Sequence, residues 1–282
     1  MSEHQDRYYL PSPSYWPIVG SVALFAMAVG FVMTLNHVGG GGTILSAGLL
    51  IMAVMLFGWF GTVIRESEGG LFNKQVDKSY RMGMSWFIFS EVMFFAAFFG
   101  ALFYARVLSV PWLGSGETMQ LLHPDFVATW PTSGPEGKAF TPMGAWGIPA
   151  INTLLLLTSG ATVTWAHWGL LKNNRTQLVT GLFMTVALGI AFITLQAIEY
   201  HHAYTELGLT LGAGIYGATF FILTGFHGFH VTMGTLMLIV ILLRSMKGHF
   251  KPDSHFGFEA VAWYWHFVDV VWLGLFVFVY WL

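Results

Sequence analysis

Residues 255–282 read HFGFEAVAWYWHFVDVVWLGLFVFVYWL, and this stretch decides the fold class. From Ala260 onward it is apolar and aromatic, and it is long enough to cross the roughly 30 Å hydrocarbon core of a bilayer as one helix. Asp269 lies near the middle of this apolar run. An acid at that depth is costly, so it normally faces the interior of a helix bundle and marks a candidate functional site.

The composition extends this prediction to the whole chain. Only 9% of the 282 residues are charged and 55% are hydrophobic, whereas about 25% of residues in soluble domains are charged. We therefore predict an all-α, polytopic membrane protein. The net charge is −2 and no basic cluster is present, so a nucleic-acid partner is not expected. The chain has no cysteine, which excludes disulfides, thiolate metal sites and iron–sulfur clusters.

Seven segments have close to the 20 apolar residues that a spanning helix needs. We predict spans at about Pro17–Leu35, Ile44–Ile64, Met82–Tyr104, Ile148–Leu171, Leu178–Ile198, Ala213–Leu243 and Ala260–Leu282. The chain is thereby divided into an N-terminal segment at 1–16, helices one and two at 17–64, a charged connector at 65–81 and helices three to seven at 82–282. A long outer loop is predicted at about 106–147, where five prolines are typical of irregular structure.

Basic residues predict the orientation. Ten of the twelve fall on one side of the predicted spans: Arg7, Arg65, Lys74, Lys78, Arg81, Lys172, Arg175, Arg244, Lys247 and Lys251. Only Arg106 and Lys138 fall on the other side. The positive-inside rule places the N-terminus in the cytoplasm or mitochondrial matrix and the C-terminus outside. An odd number of spans agrees with this orientation.

Two acids are predicted to lie near mid-bilayer. Glu91 is nine residues beyond Met82, which is about 14 Å along a helix. Asp269 reaches a similar depth, and His266 is three residues before it, on the same helix face. These acids relay protons, form structural hydrogen bonds between helices, or line a lipid-filled or wet cleft. The first possibility makes a self-contained proton or ion transporter using Glu91 and Asp269 the main alternative function.

The histidines raise the question of a metal or haem site. His227 and His230 are three residues apart on one helix, and Glu199, His201 and His202 cluster after the fifth predicted span. Imidazoles at such spacing ligate haem, copper or zinc in some proteins, which leaves a haem-binding membrane anchor as a further alternative. The competing interpretation is that they are core histidines hydrogen-bonded to neighbouring helices. We predict no metal site on this chain.

Six stretches in order resemble cytochrome c oxidase subunit III of the haem–copper oxidase family. They are GTVIRES (61–67), SWFIFSEVMFFAAFF (85–99), INTLLLLTSGATVTWAH (151–167), GLFMTVALGIAFITLQAIEY (181–200), YGATFFILTGFHGFHVTMGT (216–235) and FEAVAWYWHFVDVVW (258–272). Glu91 takes the place of an embedded glutamate in the third helix of that family. The resemblance covers nearly the whole chain.

The resemblance implies a function as well as a fold. It implies seven helices, arranged as a two-helix unit and a five-helix bundle separated by a cleft that holds phospholipid. It implies an accessory subunit of an aa3-type oxidase without its own redox centre, with haem a and copper on partner subunits I and II. Cytochrome c would be met only indirectly, through the complex. The implied roles are to stabilise the catalytic subunit and to support proton uptake and oxygen access.

The resemblance and the charge pattern together predict a lipid site between helices two and three. Arginine suits bidentate contact with phosphate, so Arg65 and Arg244 are the expected headgroup contacts. Trp59, which precedes Arg65 by one to two turns, would pack on the acyl chains. The alternative is that both arginines serve only as topology signals. The length and the amino-acid sequence of the chain favour the inner membrane of a bacterium over that of a mitochondrion.

Overall fold

A computed structural model describes residues 9–115 and 117–282 of the chain. The predicted N-terminal segment at 1–16 is therefore described only from Tyr9 onward, and Arg7 lies outside the described residues. Within the described part, every regular element is helical, and seven helical segments are long and apolar enough to cross a membrane. The predicted all-α fold with seven transmembrane helices is confirmed.

The helices alternate between long spans and short surface pieces. The seven candidate spans are α1 (Trp16–Leu35), α2 (Gly41–Glu68), α3 (Lys74–Phe103), α6 (Ile148–Leu171), α7 (Arg175–Thr205), α8 (Ile215–Lys247) and α9 (Phe256–Leu275). A π-helical turn at Tyr104–Ser109 continues α3 into the short helix α4 (Val110–Ser115), and α5 (Glu117–Leu122) follows. A second π-helical turn, Phe276–Trp281, extends α9.

Several helices are longer than the apolar runs that predicted them. The connector predicted at 65–81 is helical on both sides, because α2 continues to Glu68 and α3 already begins at Lys74. The amide nitrogens of Gln75 and Val76 donate to Oδ1 of Asn73, at 3.1 and 3.0 Å, which caps the start of α3. The loop predicted at 106–147 is likewise helical through most of its first part, up to Leu122. An apolar run ends at the first charged residue, whereas the helix that contains it can extend further.

The chain divides into two compact units, Met1–Tyr80 and Arg81–Leu282. In the first unit, α1 and α2 pack closely through glycines. A side chain at Gly30 would collide with backbone atoms of Leu45, and one at Gly48 would collide with the backbone nitrogen of Met27. Small residues at such positions let two membrane helices approach each other.

The second unit is a helix bundle centred on Trp265 of α9. This side chain is fully buried, and its Nε1–H donates to Oγ of Ser159 on α6 at 2.9 Å. A Cβ added to Gly234 of α8 would lie 2.8 Å from its ring, and one added to Gly189 of α7 would lie 3.0 Å from it. One indole therefore joins four helices of this unit.

The outer loop packs on the connection between α7 and α8. The amide nitrogen of Thr141 donates to the carbonyl of Leu207 at 2.9 Å, and that of Tyr216 donates to the carbonyl of Thr132 at 3.2 Å. The ring of Phe140 stacks on Tyr216 with centroids 5.2 Å apart. These contacts hold the proline-rich segment on its own bundle and give it a defined path.

Candidate functional site

Glu91 and His230 form the central polar pair of the second unit. Glu91 lies in the middle of α3, and its Oε2 is 2.8 Å from Nε2 of His230 on α8. Nδ1 of His230 is 2.6 Å from the carbonyl oxygen of Phe226, one turn earlier on the same helix. A carbonyl oxygen only accepts, so Nδ1 carries a proton. The predicted mid-bilayer acid thus has a specific partner, which periodicity alone did not identify.

This arrangement requires one shared proton. With Nδ1 protonated, Nε2 of a neutral imidazole has only a lone pair. The short contact with Glu91 then needs a proton on the carboxyl group, or a second proton on His230 that makes an ion pair. In either state Glu91 and His230 together carry no net charge. The pair thereby avoids most of the cost of an isolated charge in the membrane.

Aromatic rings surround this pair. Phe95 meets His230 edge-on at a centroid distance of 5.0 Å, and Tyr264 stacks parallel to it at 6.2 Å. The His230 side chain is 9% exposed, while that of Glu91 is 22% exposed. The carboxyl group therefore lies at the edge of the bundle and the imidazole lies inside it. The contact thus connects α3 to α8 and has one accessible end.

Asp269 and His266 form a second, looser polar group on α9. Nδ1 of His266 is 3.7 Å from Oδ2 of Asp269, too long for the hydrogen bond expected across one helical turn. Nε2 of His266 lies 3.2 Å from Oγ1 of Thr164 on α6. Asp269 is buried against Gly160, where any added Cβ would collide with its carboxyl group. Among the described residues, no hydrogen bond or ion pair joins this group to Glu91.

Glu199 is buried, as Asp269 is, and was not predicted as a site residue. Its side chain accepts a 2.7 Å hydrogen bond from the hydroxyl of Tyr280 and a 3.5 Å bond from Nε2 of Gln196. Its place on the buried face of α7, where Phe192, Gln196, Glu199 and Ala203 follow helical spacing, was the available signal. The predicted cluster of Glu199 with the two following histidines does not form, because His202 pairs with Glu206 at 3.2 Å.

The two α8 histidines also turn to different partners. His227 is buried and donates from Nε2 to the carbonyl oxygen of Val268 at 3.2 Å, whereas His230 contacts Glu91. Each imidazole hydrogen-bonds a neighbouring helix, as the core-histidine interpretation expects.

A different group of side chains offers metal ligands. One ligand atom each of His167, His255 and Glu259 lies within 4.8 Å of the others. Spacing along the sequence gave no indication of this group, because His167 is far from His255 along the chain.

The three predicted lipid contacts occupy the two units separately. Trp59 and Arg65 lie on α2 of the first unit, with the Trp59 side chain exposed. Two Arg65 nitrogens bond its own helix, at the carbonyl of Gly61 (3.3 Å) and Oγ1 of Thr62 (3.2 Å). Arg244 lies in the last turn of α8 in the second unit, with its guanidinium 4.5 Å above the Phe250 ring. Lipid contact by these residues stays a prediction.

Comparison with known proteins identifies one family over almost the full length. A family model described as "Cytochrome c oxidase subunit III" matches residues 6–282. The chain is 42% identical over 282 residues to cytochrome c oxidase subunit 3 of Hippopotamus amphibius, covering 100% of this chain and 99% of that protein. The subunit 3 of Marchantia polymorpha is 45% identical over 275 residues, covering 97% and 96%. That of Equus caballus is 40% identical over 282 residues, covering 100% and 99%.

Proposed function

Because the chain belongs to the cytochrome c oxidase subunit III family, we propose that it is the non-redox accessory subunit of an aa3-type oxidase. The observation that carries this proposal is the match of residues 6–282 to the family model. Haem a and the copper centres would then reside on partner subunits I and II. The chain's own histidines support this division, since His227 and His230 are each engaged within the bundle.

The proposed structural role is to stabilise the catalytic subunit. His266 supports it, because 46% of its side chain is exposed on the second unit, within the helical segment expected to cross the membrane. Although Nε2 of His266 already contacts Oγ1 of Thr164, ionisable side chains within a membrane normally face protein and not lipid. We therefore place a partner subunit, subunit I in this proposal, against the α9 face that carries His266.

The proposed support for proton uptake and oxygen access is indirect. Glu91 and His230 share one proton, which gives this region a titratable group at the edge of the bundle. Beyond Glu91, however, the outer part of α3 reads FFAAFFGALF, which has no titratable or hydroxyl side chain. A proton has no continuous path along this helix. We propose that Glu91 maintains helix packing and the local environment, and does not itself transport protons across the membrane.

We further propose that phospholipid binds this chain, with Arg65 and Trp59 as contacts in the first unit and Arg244 in the second. The guanidinium groups would meet phosphate and the indole would meet acyl chains. We place the protein in the inner membrane of a bacterium, with its N-terminus in the cytoplasm. The distribution of basic residues, ten of twelve on one side of the spans, supports this orientation.

The test of the accessory role is to remove the chain from the assembled oxidase. We expect the remaining complex to keep its haem spectrum and its initial rate of cytochrome c oxidation, and to lose activity faster during sustained turnover. Adding the purified chain back should restore the slower loss. Loss of the haem spectrum or of all initial activity would show that the chain belongs to the catalytic core and would overturn the proposal. Equal rates of inactivation with and without the chain would also contradict it.

A further inference from the structure

Two histidines and a glutamate converge at one end of the second unit. His167 lies in the last two turns of α6, His255 immediately precedes α9, and Glu259 lies in the first turn of α9. Each offers one ligand atom, and these three atoms lie within 4.8 Å of one another. Two imidazoles and one carboxylate are a ligand set that zinc uses in proteins, with a fourth position left to water.

The distances are close to those of a zinc site. Oε1 of Glu259 lies 3.5 Å from Nε2 of His255 and 3.8 Å from Nε2 of His167. Bonds of about 2.0–2.2 Å in a tetrahedral array hold ligand atoms roughly 3.3–3.5 Å apart. An ion bound here would draw the three ligand atoms closer together. The two imidazole rings are already near each other, with centroids 5.4 Å apart.

The surroundings prepare the imidazoles for metal binding. Nδ1 of His255 lies 3.0 Å from the carbonyl oxygen of Lys251 and must donate to it. In the neutral ring this leaves the lone pair on Nε2, the atom that faces Glu259. A backbone carbonyl on the other ring nitrogen is the usual support of a metal-ligating histidine. Nε2 of His167 is buried and has no hydrogen-bond partner within the described part of the chain.

Arg81 determines how the carboxylate is presented. Its guanidinium forms an ion pair with Oε2 of Glu259 and lies 5.6 Å from the centroid of the Phe256 ring. The other oxygen, Oε1, is thereby directed to the two imidazoles. The positive charge of Arg81 also lowers the affinity for a cation. We therefore expect a site that fills when Zn²⁺ is added.

We propose that His167, His255 and Glu259 form a Zn²⁺ site that joins the end of α6 to the start of α9. Zn²⁺ has no redox chemistry, so the site is compatible with a subunit that carries no redox centre. The site is formed by side chains of this chain alone and does not depend on the accessory role. A bound ion would hold the segment before α9 against α6 and stabilise this end of the bundle.

The test compares zinc binding by assembled complexes. His167→Phe keeps an aromatic ring against Phe258, whose centroid lies 5.2 Å from that of His167, and removes the ligand nitrogen. His202→Phe is the matched control, since His202 pairs with Glu206 at the same i,i+4 spacing as His255 with Glu259. Among the described residues, His202 belongs to no group of three candidate ligands. In equilibrium dialysis against ZnCl₂, we expect His167→Phe to bind one equivalent less than the unsubstituted complex. His202→Phe should bind as many as the unsubstituted complex.

A second measurement does not depend on that variant. X-ray absorption of the unsubstituted complex, loaded with one equivalent of Zn²⁺, should show two imidazoles and oxygen ligands at about 2.0–2.2 Å. If His167→Phe fails to assemble, His255→Gln removes the other imidazole ligand, and the number of Zn²⁺ equivalents bound is compared in the same way. Unchanged stoichiometry in the assembled variants would overturn the proposal, as would fewer than two imidazoles around the bound ion. Loss of zinc with normal oxidase turnover would leave the accessory role intact.

Discussion

Oε2 of Glu91 lies 2.8 Å from Nε2 of His230, and this bond connects α3 to α8. Since Nδ1 of His230 already donates to the carbonyl of Phe226, the bond needs one proton shared by the two side chains. A residue that seemed a lone acid in the membrane is half of a neutral pair. Both side chains thereby find a hydrogen-bond partner on a neighbouring helix.

Glu91→Gln should therefore be tolerated. The amide donates a hydrogen bond to Nε2 of His230 and removes titration, so assembly should be normal and oxidase turnover should change by less than about twofold. Glu91→Ala leaves the buried Nε2 without its partner and should destabilise the bundle by about 1–3 kcal/mol. Thermal unfolding and the proton-to-electron ratio of the assembled complexes measure both effects. A severe loss of pumping in a fully assembled Glu91→Gln complex would assign the carboxyl group a role in proton transfer.

Gly234→Ala should destabilise the second unit. The added methyl group would lie 2.8 Å from the Trp265 ring, which is enclosed on all sides, so overpacking should cost about 1–3 kcal/mol. Gly228→Ala on the same helix is the control, because a Cβ there meets nothing within 4 Å. The melting temperature of the purified complex should fall for the first variant and stay unchanged for the second. Equal melting temperatures would contradict the close packing of Trp265 on α8.

Tyr280→Phe should destabilise the end of the bundle where α7 meets the C-terminal turn. The hydroxyl of Tyr280 donates to Glu199 at 2.7 Å, and a buried carboxyl group that loses a donor costs about 1–3 kcal/mol. The double variant Tyr280→Phe, Glu199→Leu should be more stable than the sum of the two single changes predicts. Strict additivity of the melting shifts in this double-mutant cycle would mean that the two side chains do not interact.

Arg65→Ala should lower the amount of phospholipid that co-purifies with the complex. The guanidinium is the proposed phosphate contact on α2, and alanine removes it without changing the helix. Lys138→Ala is the control, since Lys138 lies in the proline-rich loop, far from Arg65 along the chain. Quantitative lipid analysis by mass spectrometry should show a loss in the first variant alone. Identical lipid content in both variants would leave Arg65 as a topology signal only.

The seven spans were predictable because membrane crossing imposes a length and an apolar composition on each segment. The ends of the spans were not, since residues such as Lys74 and Asp77 belong to α3 without being apolar. Hydropathy measures what lies in lipid, whereas the helix is maintained by backbone hydrogen bonds that continue into water. The Asn73 cap at the start of α3 was the local signal that could have marked this boundary.

The polar partners were harder to predict than the polar residues. Glu91 was recognisable as an acid inside an apolar run, but its partner His230 is 139 residues away. Helical spacing shows which residues share a face of one helix. It does not show which face of another helix packs against them. The same reason explains why Tyr280 and Glu199, or His167 and Glu259, became neighbours only in the folded bundle. The burial of Glu199 was predictable, however, because helical spacing places it on the buried face of α7.

We expect this chain to serve an oxidase without carrying a redox centre of its own. The most direct measurement is an optical spectrum and metal analysis of the chain after it has been purified with its partners and then stripped from them in detergent. The intact complex should show haem bands and contain copper, and the stripped, folded chain should show neither. Haem bands or stoichiometric copper remaining on the stripped chain would contradict it.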